Sequence, residues 1–226
     1  MIHSGVQKSG VDTGVSARLG SVYTSWRRLM AKQHNPSMRS IAEALSSDIL
    51  KLRKQRIILL SAGIDDCTAS EFTNEILIMV AENKKPIKVI ISSPGGDILD
   101  GLTIIRAIQH AQNHGIKVTC EVFGHALSMA FVISQAGDKR VMGSGDVLMC
   151  HGFFVLQGAD RKGREAEDKM LKDAEECFCS MIAKKNTSKH KEFHNVDYWH
   201  ALMAEETPNY YTSTEALDMG IVDEVI

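Results

Sequence analysis

Three positions in this chain combine residue types that could perform acyl-transfer chemistry, and Ser128 is the first of them. It lies in the segment GHALSMA at 124–130, at the start of an apolar stretch that predicts a helix over 126–136. A serine hydroxyl is a weak nucleophile at neutral pH, so it needs a base beside it. The positive end of the helix dipole and the free N–H groups of the first turn would stabilise negative charge next to the serine oxygen.

The other two positions are a glycine turn and a histidine. The segment SSPGG at 92–96 follows the apolar run 87–91 and precedes a helical pattern, which is a context that exposes backbone N–H donors. His151 ends the short apolar strand predicted over 147–150. Serine, donors and histidine therefore lie at three successive strand ends, which is where sheets of the α/β class bind their ligands.

Strands and helices alternate along most of the chain, which predicts an α/β fold with a mainly parallel sheet. The predicted strands are 56–60, 87–91, 117–123, 140–142, 147–150 and 221–226, and the predicted helices are one from 65 or 66, 98–114, 126–136, 163–185 and one starting at 212–217. The helix over 163–185 is amphipathic, with apolar residues three and four apart. We expect its apolar stripe to pack against another subunit, although an ordinary surface helix is the alternative.

Composition fits an enzyme-sized core and favours no nucleic acid or membrane partner. The chain has 226 residues, 44% hydrophobic content and a net charge of −2, so we expect one domain, with two possible. It has no apolar run of about 18 residues and no apolar signal core near its start. The five cysteines are predicted to be free and mostly buried.

The sequence predicts neither a metal nor a cofactor. His190, His194 and His200 are close in sequence, but Glu192 stands one place too late for the HExxH pattern. The chain has no phosphate-binding glycine loop followed by Lys-Ser/Thr, so ATP would belong to a partner.

The motifs, in this order, resemble the Clp protease proteolytic subunit (ClpP) family of the ClpP/crotonase fold. The segments that carry the resemblance are SPGG at 93–96, GHALSMA at 124–130, LMCH at 148–151, the helix at 163–185 and EALDMGIVDEVI at 215–226. The resemblance implies repeated β-β-α units with a protruding handle helix. It implies a peptidase domain over 45–226, preceded by an N-terminal extension over 1–44 that we expect to be partly flexible.

The resemblance also implies a set of site residues. Ser128 would be the nucleophile and His151 the general base, with the backbone N–H groups of Gly96 and Met129 as the oxyanion hole. The stretch beginning Gly152-Phe153-Phe154 would be a strand that adds to the substrate. The competing interpretation makes Ser128 a helix N-cap and His151 a core histidine with satisfied hydrogen bonds.

The third member of the triad departs from the family pattern, which usually has an aspartate here. The chain reads EETPNYYT at 205–212. Matching the two tyrosines to the family's aromatic pair puts Asn209 at this position, whereas an ungapped match puts Pro208 there, which cannot orient a histidine. An asparagine can hold a catalytic histidine, and Glu206 could also reach it.

By resemblance the chain is a serine endopeptidase that hydrolyses unfolded polypeptides. It would form two stacked heptameric rings, a tetradecamer fed by a AAA+ Clp ATPase. Three alternatives stay open: a phage-type head-maturation protease, a catalytically impaired structural ring subunit and a crotonase-like acyl-CoA enzyme, the last giving no reason for the Ser128/His151 pair. We expect a cytoplasmic protein of a bacterium or of a phage-infected host, although an organelle also fits.

Overall fold

The structure is a computed structural model that describes residues 50–153, 161–205 and 207–226, without the side chains of 161–167. The extension over 1–44 and its boundary at residue 45 lie outside the described residues and stay predictions. None of the described helices combines the length and the apolar content that crossing a membrane requires.

The described strands form a seven-stranded sheet, which confirms the predicted α/β class. Its strands are β1 Ile57–Leu60, β2 Ile87–Ser93, β3 Val118–Leu127, β4 Lys139–Met142, β5 Val147–Cys150, β6 Asn209–Tyr211 and β7 Glu224–Val225. The main path runs β1-β2-β3-β4-β7, and every neighbouring pair on it is parallel. β5 pairs with β3 in parallel and with β6 in antiparallel orientation.

The sheet branches at β3. The first half of this strand pairs with β4 over Thr119–Val122, and the second half pairs with β5 over His125–Leu127. The branch brings the carboxyl ends of β2, β3 and β5 to one place. The glycine turn, Ser128 and His151 follow these three ends, as predicted from the sequence.

Besides the helical residues 50–54, six α-helices and one short 3-10 helix are described with the sheet. They are α1 Asp66–Glu82, α2 Ile98–Asn113, α3 Met129–Ser134, α4 Arg161–Lys185, the 3-10 helix Lys191–His194, α5 Val196–Met203 and α6 Ser213–Asp218. Helices α1 and α2 pack against each other. Their buried side chains, such as Ile76 and Ile108, join those of β2 and β3 in one core.

The predicted boundaries were furthest from the structure at two places: the junction of α3 with β3, which was predicted to end at residue 123, and the final strand. The helix predicted over 126–136 is shorter, because Ala126 and Leu127 belong to β3, where they pair with Leu148 and Met149 of β5. The final strand is only Glu224–Val225 rather than 221–226, because Ile221 still bonds back to Ala216 beyond the end of α6. Strand pairing decides the first boundary and the hydrogen bonding at the end of α6 decides the second, and apolar content alone predicts neither.

Helix α4 is the amphipathic helix that was predicted, but the C-terminal half of its apolar stripe is covered within the chain. Ala174, Phe178 and Ile182 are buried, and α4 packs against α5 and the 3-10 helix. This half of the stripe is therefore not left for another subunit, contrary to the sequence prediction.

Candidate active site

Ser128 occupies the turn between β3 and α3 in an unusual backbone conformation. Its φ is 55° and its ψ is −123°. A non-glycine residue in this region costs about 1–3 kcal/mol and stays there only where the surrounding structure holds it. The Ser128 N–H donates to the carbonyl of Met149 at 2.9 Å, which ties the turn to β5. Ser128 stands at the N-cap position of α3, but its side chain makes no capping hydrogen bond. Capping therefore does not explain a serine here.

The glycine turn after β2 packs directly on the Ser128 turn. Gly95 has a φ of 91°, and a Cβ added to it would lie 2.6 Å from the carbonyl oxygen of Leu127 and 2.8 Å from the amide nitrogen of Met129. Both atoms belong to the backbone, so neither can swing away from a larger residue. Only glycine meets both demands at this position.

Hydrogen bonds from two neighbouring segments fix the glycine turn. The Ile64 N–H donates to the Gly95 carbonyl, and the Asp97 N–H donates to the Ile64 carbonyl, each at 2.9 Å. Buried Ser93 donates its hydroxyl to the carbonyl of Ala62 at 2.6 Å and accepts the Gly95 N–H at 3.2 Å. Neither Ser93 nor Ile64 has a role that the sequence predicts, because only the glycine pair of SPGG indicates a special backbone here.

His151 directly follows β5 and is half-buried. Its Nδ1 hydrogen-bonds to the carbonyl oxygen of Gly152. A carbonyl can only accept, so this contact requires a proton on Nδ1, and in the neutral imidazole Nε2 is then the acceptor. A histidine that removes a proton from a serine hydroxyl through Nε2 needs this tautomer.

The strand pairing brings the serine and histidine segments together. Leu127 lies opposite Met149, so Ser128 leaves β3 one residue after this pair and His151 leaves β5 two residues after it. Ser128 and His151 thus lie at neighbouring strand ends, next to the Gly95–Gly96 turn.

Asn209 begins β6, opposite Cys150. Its side-chain Nδ2 donates to Oε2 of Glu205 at 3.1 Å. Opposite residues of an antiparallel pair have their side chains on the same face, so the register alone places Asn209 beside Cys150 and not beside His151. The triad role of Asn209 stays a prediction, and Glu206 lies outside the described residues.

Comparison with protein families matches residues 40–226 to the family described as Clp protease. The chain belongs to the Clp protease family. It is also similar to the ATP-dependent Clp protease proteolytic subunit of Carsonella ruddii (strain PV), with 28% identity over 182 residues, which are 78% of this chain and 86% of the relative. These likenesses, together with the site geometry, make the chain a serine-type peptidase of the Clp proteolytic-subunit type.

In this Clp protease family member, the predicted substrate strand is described only at its start. Gly152 and Phe153 belong to no strand, and Phe153 contacts Phe178 of α4 edge-on, with ring centroids 5.3 Å apart. Phe154 lies outside the described residues. The substrate-binding role of this segment stays a prediction.

Cys150, a cysteine beside the predicted general base, raises the question of a second nucleophile. Cys150 directly precedes His151, but burial raises the pKa of its thiol to about 12. A thiol with such a pKa is protonated at neutral pH, and the thiolate is the reactive form. Cys120 and Cys179 are also buried, while Cys67 and Cys177 are exposed, and all five are free. The high pKa therefore argues against Cys150 as the nucleophile, and the nucleophile role of Ser128 stays a prediction.

Proposed function

We propose that Ser128 and His151 perform peptide-bond hydrolysis in this protein. The observation that carries the proposal is the strained Ser128 turn, whose following amide, that of Met129, is packed against Gly95. A strained non-glycine residue that does not cap its helix calls for a functional reason. A nucleophile presented at a helix start supplies one.

The proposed reaction has two steps. Ser128 Oγ attacks the scissile carbonyl while His151 Nε2 accepts the hydroxyl proton, and His151 then gives this proton to the leaving amine. Water hydrolyses the resulting acyl-enzyme ester in the same way, with His151 again as the base, which releases the acid and regenerates Ser128. The N–H groups of Gly96 and Met129 bind the oxyanion of each tetrahedral intermediate. Losing one such donor typically costs about 10²–10³ in rate.

We further propose that the chain works as part of a closed ring assembly on unfolded polypeptides. Support comes from the family and from the Carsonella relative, whose name includes ATP dependence. The 226-residue sequence has no phosphate-binding glycine loop, so a separate AAA+ Clp ATPase would supply ATP hydrolysis and unfolding. Two stacked heptameric rings in the cytoplasm of a bacterium or an infected host are the arrangement that we propose.

A peptidase assay with two kinds of substrate tests the proposed function. The purified protein should hydrolyse a short fluorogenic peptide, and Ser128→Ala or His151→Ala should abolish this activity. A stably folded protein substrate should resist cleavage without an ATPase. Absence of peptide hydrolysis would favour a structural ring subunit, and rapid digestion of the folded protein would favour a head-maturation protease.

A further inference from the structure

Gly101 is a buried glycine inside helix α2, where glycine is less favourable than alanine. The fourth residue of a helix that is capped by Asp97 needs no special backbone conformation: the Gly101 N–H makes an ordinary helical bond to the Asp97 carbonyl at 3.0 Å. Helix geometry therefore gives no reason for a glycine here, and the reason must lie in what packs against it.

The side chain of Met129 fills the space that a Cβ of Gly101 would need. An added Cβ would lie 2.4 Å from both Cγ and Cε of Met129 and 2.7 Å from its Sδ. The end of a methionine side chain is flexible in general, but Met129 is only 1% exposed. The contacted atoms include Cγ, which lies next to Cβ and moves little without the backbone, so a larger residue at 101 would push on Met129 as a whole.

The positions of both proposed oxyanion donors therefore depend on the same helix, α2. The Gly96 N–H immediately precedes the N-cap of α2, whose carboxylate accepts the N–H groups of Leu99 at 2.8 Å and Asp100 at 3.1 Å. The Met129 N–H is linked to the first turn and a half of α2 through its own side chain, which lies against Gly101.

We propose that Gly101 is a positioning residue for the oxyanion hole. By lacking a side chain it lets Met129 lie against α2, which sets the distance between the Met129 and Gly96 N–H groups. This inference rests on the proposed function, since it assumes that these two N–H groups bind the oxyanion. Oxyanion donors act on the transition state more than on the bound substrate.

The substitution Gly101→Ala tests the inference, with Gly145→Ala as the matched control because an added Cβ at 145 meets nothing within 4 Å. Displacing an oxyanion donor by a fraction of an ångström should lower kcat for a fluorogenic peptide about ten- to a hundredfold. KM should change less than about threefold, since ground-state binding is not what the donor supplies. Thermal melting establishes that both variants are folded.

A double-mutant cycle with Met129→Ala distinguishes an effect through Met129 from a general one. Met129→Ala removes the three atoms that the new methyl would meet, so Gly101→Ala should lower kcat much less in the Met129→Ala background than in the wild type. Equal losses in both backgrounds, or a Gly101→Ala variant as active as Gly145→Ala, would overturn the positioning role while leaving the proposed function intact. A wild-type protein that hydrolyses no peptide would instead overturn the proposed function and this inference with it.

Discussion

Ser128 is held in its conformation by the residues around it. The Met149 carbonyl accepts its N–H, and Gly95 leaves no room between the two turns. Such over-determination is what allows a residue to remain in a sparsely populated backbone region. The result is a serine whose hydroxyl is not used in capping, at the point where a helix N-terminus and a glycine turn meet.

The candidate residues of the site could be proposed from the sequence, but the contacts that hold them in place could not. Ser128, His151 and the glycines of SPGG stand out because they interrupt apolar segments at predicted strand ends. The contact between Gly101 and Met129 joins residues 28 positions apart on different elements, and no local pattern marks it. The strain at Ser128 was equally unpredictable, because a serine at a helix start is usually an ordinary cap.

The third member of the site is open to a direct test. Asn209→Ala should lower peptide hydrolysis if its amide orients His151. Because Glu205 accepts a hydrogen bond from Asn209, an aspartate at 209 would face a second carboxylate. We therefore expect Asn209→Asp to match or exceed wild-type activity near neutral pH when combined with Glu205→Gln, with Glu205→Gln alone as the control.

Two outcomes of this peptidase measurement would reassign the role. If Asn209→Ala leaves the rate unchanged and Glu206→Ala abolishes it, Glu206 orients the histidine. If neither variant changes the rate, the site works as a Ser–His dyad.

At the scale of elements, the branching of β3 decides where the site lies. A strand that pairs with β4 in its first half and β5 in its second half must continue through Ala126 and Leu127. These residues are also good helix formers next to an apolar helix, so the sequence predicted a helix start that was too early. The alternation of strands and helices was predictable, because each element has its own apolar periodicity.

His200 of α5 links this helix to the C-terminal half of α4. Its Nδ1 lies 3.1 Å from Oε1 of Glu175, and its Nε2 lies 2.7 Å from Oε2 of Glu176. The hydrogen bond with Glu175 raises the pKa of His200 above the ordinary value of 6.5, against the opposing effect of burial, and Glu176 adds to the rise. Only the charged imidazolium can donate to both carboxylates.

This link should make the stability of the protein depend on pH. Because the pKa of His200 is raised in the folded state, the stabilisation is fully present below about pH 6.5 and is lost as pH rises through the raised pKa. His200→Gln should therefore lower the melting temperature by a few degrees at pH 6 and have little effect at pH 9. His194→Gln is the control, since His194 bonds the carbonyl of Ser188. A His200→Gln effect that is equal at both pH values would contradict the role of charge.

At the scale of the whole molecule, the described sheet has apolar residues exposed on part of one face, at β1 and β3. Leu59 is 49% exposed and Phe123 is 69% exposed, on the face opposite to the buried residues of β1 and β3. Parallel sheets are normally covered on both faces. The sequence predicted the sheet but not these exposed positions, because an apolar residue in a strand does not indicate what covers it.

We expect the purified protein to be an oligomer, because exposed apolar residues on a parallel sheet favour burial against another subunit. Light scattering should give a mass many times that of the 24.9 kDa chain, and negative-stain images should show rings. Phe123→Asp should reduce the mass if this face lies in the interface, whereas Lys84→Asp, an exposed charge change in the loop before β2, should not. A monomer under several salt conditions would contradict the proposed assembly.

Covalent labelling is the sharpest test of whether Ser128 is the nucleophile of a serine peptidase. A fluorophosphonate reacts with an activated serine hydroxyl, and mass spectrometry of the digested protein identifies the modified residue. We predict that the label attaches to Ser128 in the wild type and that Ser128→Ala is not labelled, while Ser180→Ala, which changes a serine whose hydroxyl donates to Glu176 of α4, is labelled like the wild type. Labelling that persists in Ser128→Ala, or its absence in an active wild-type protein, would contradict the account.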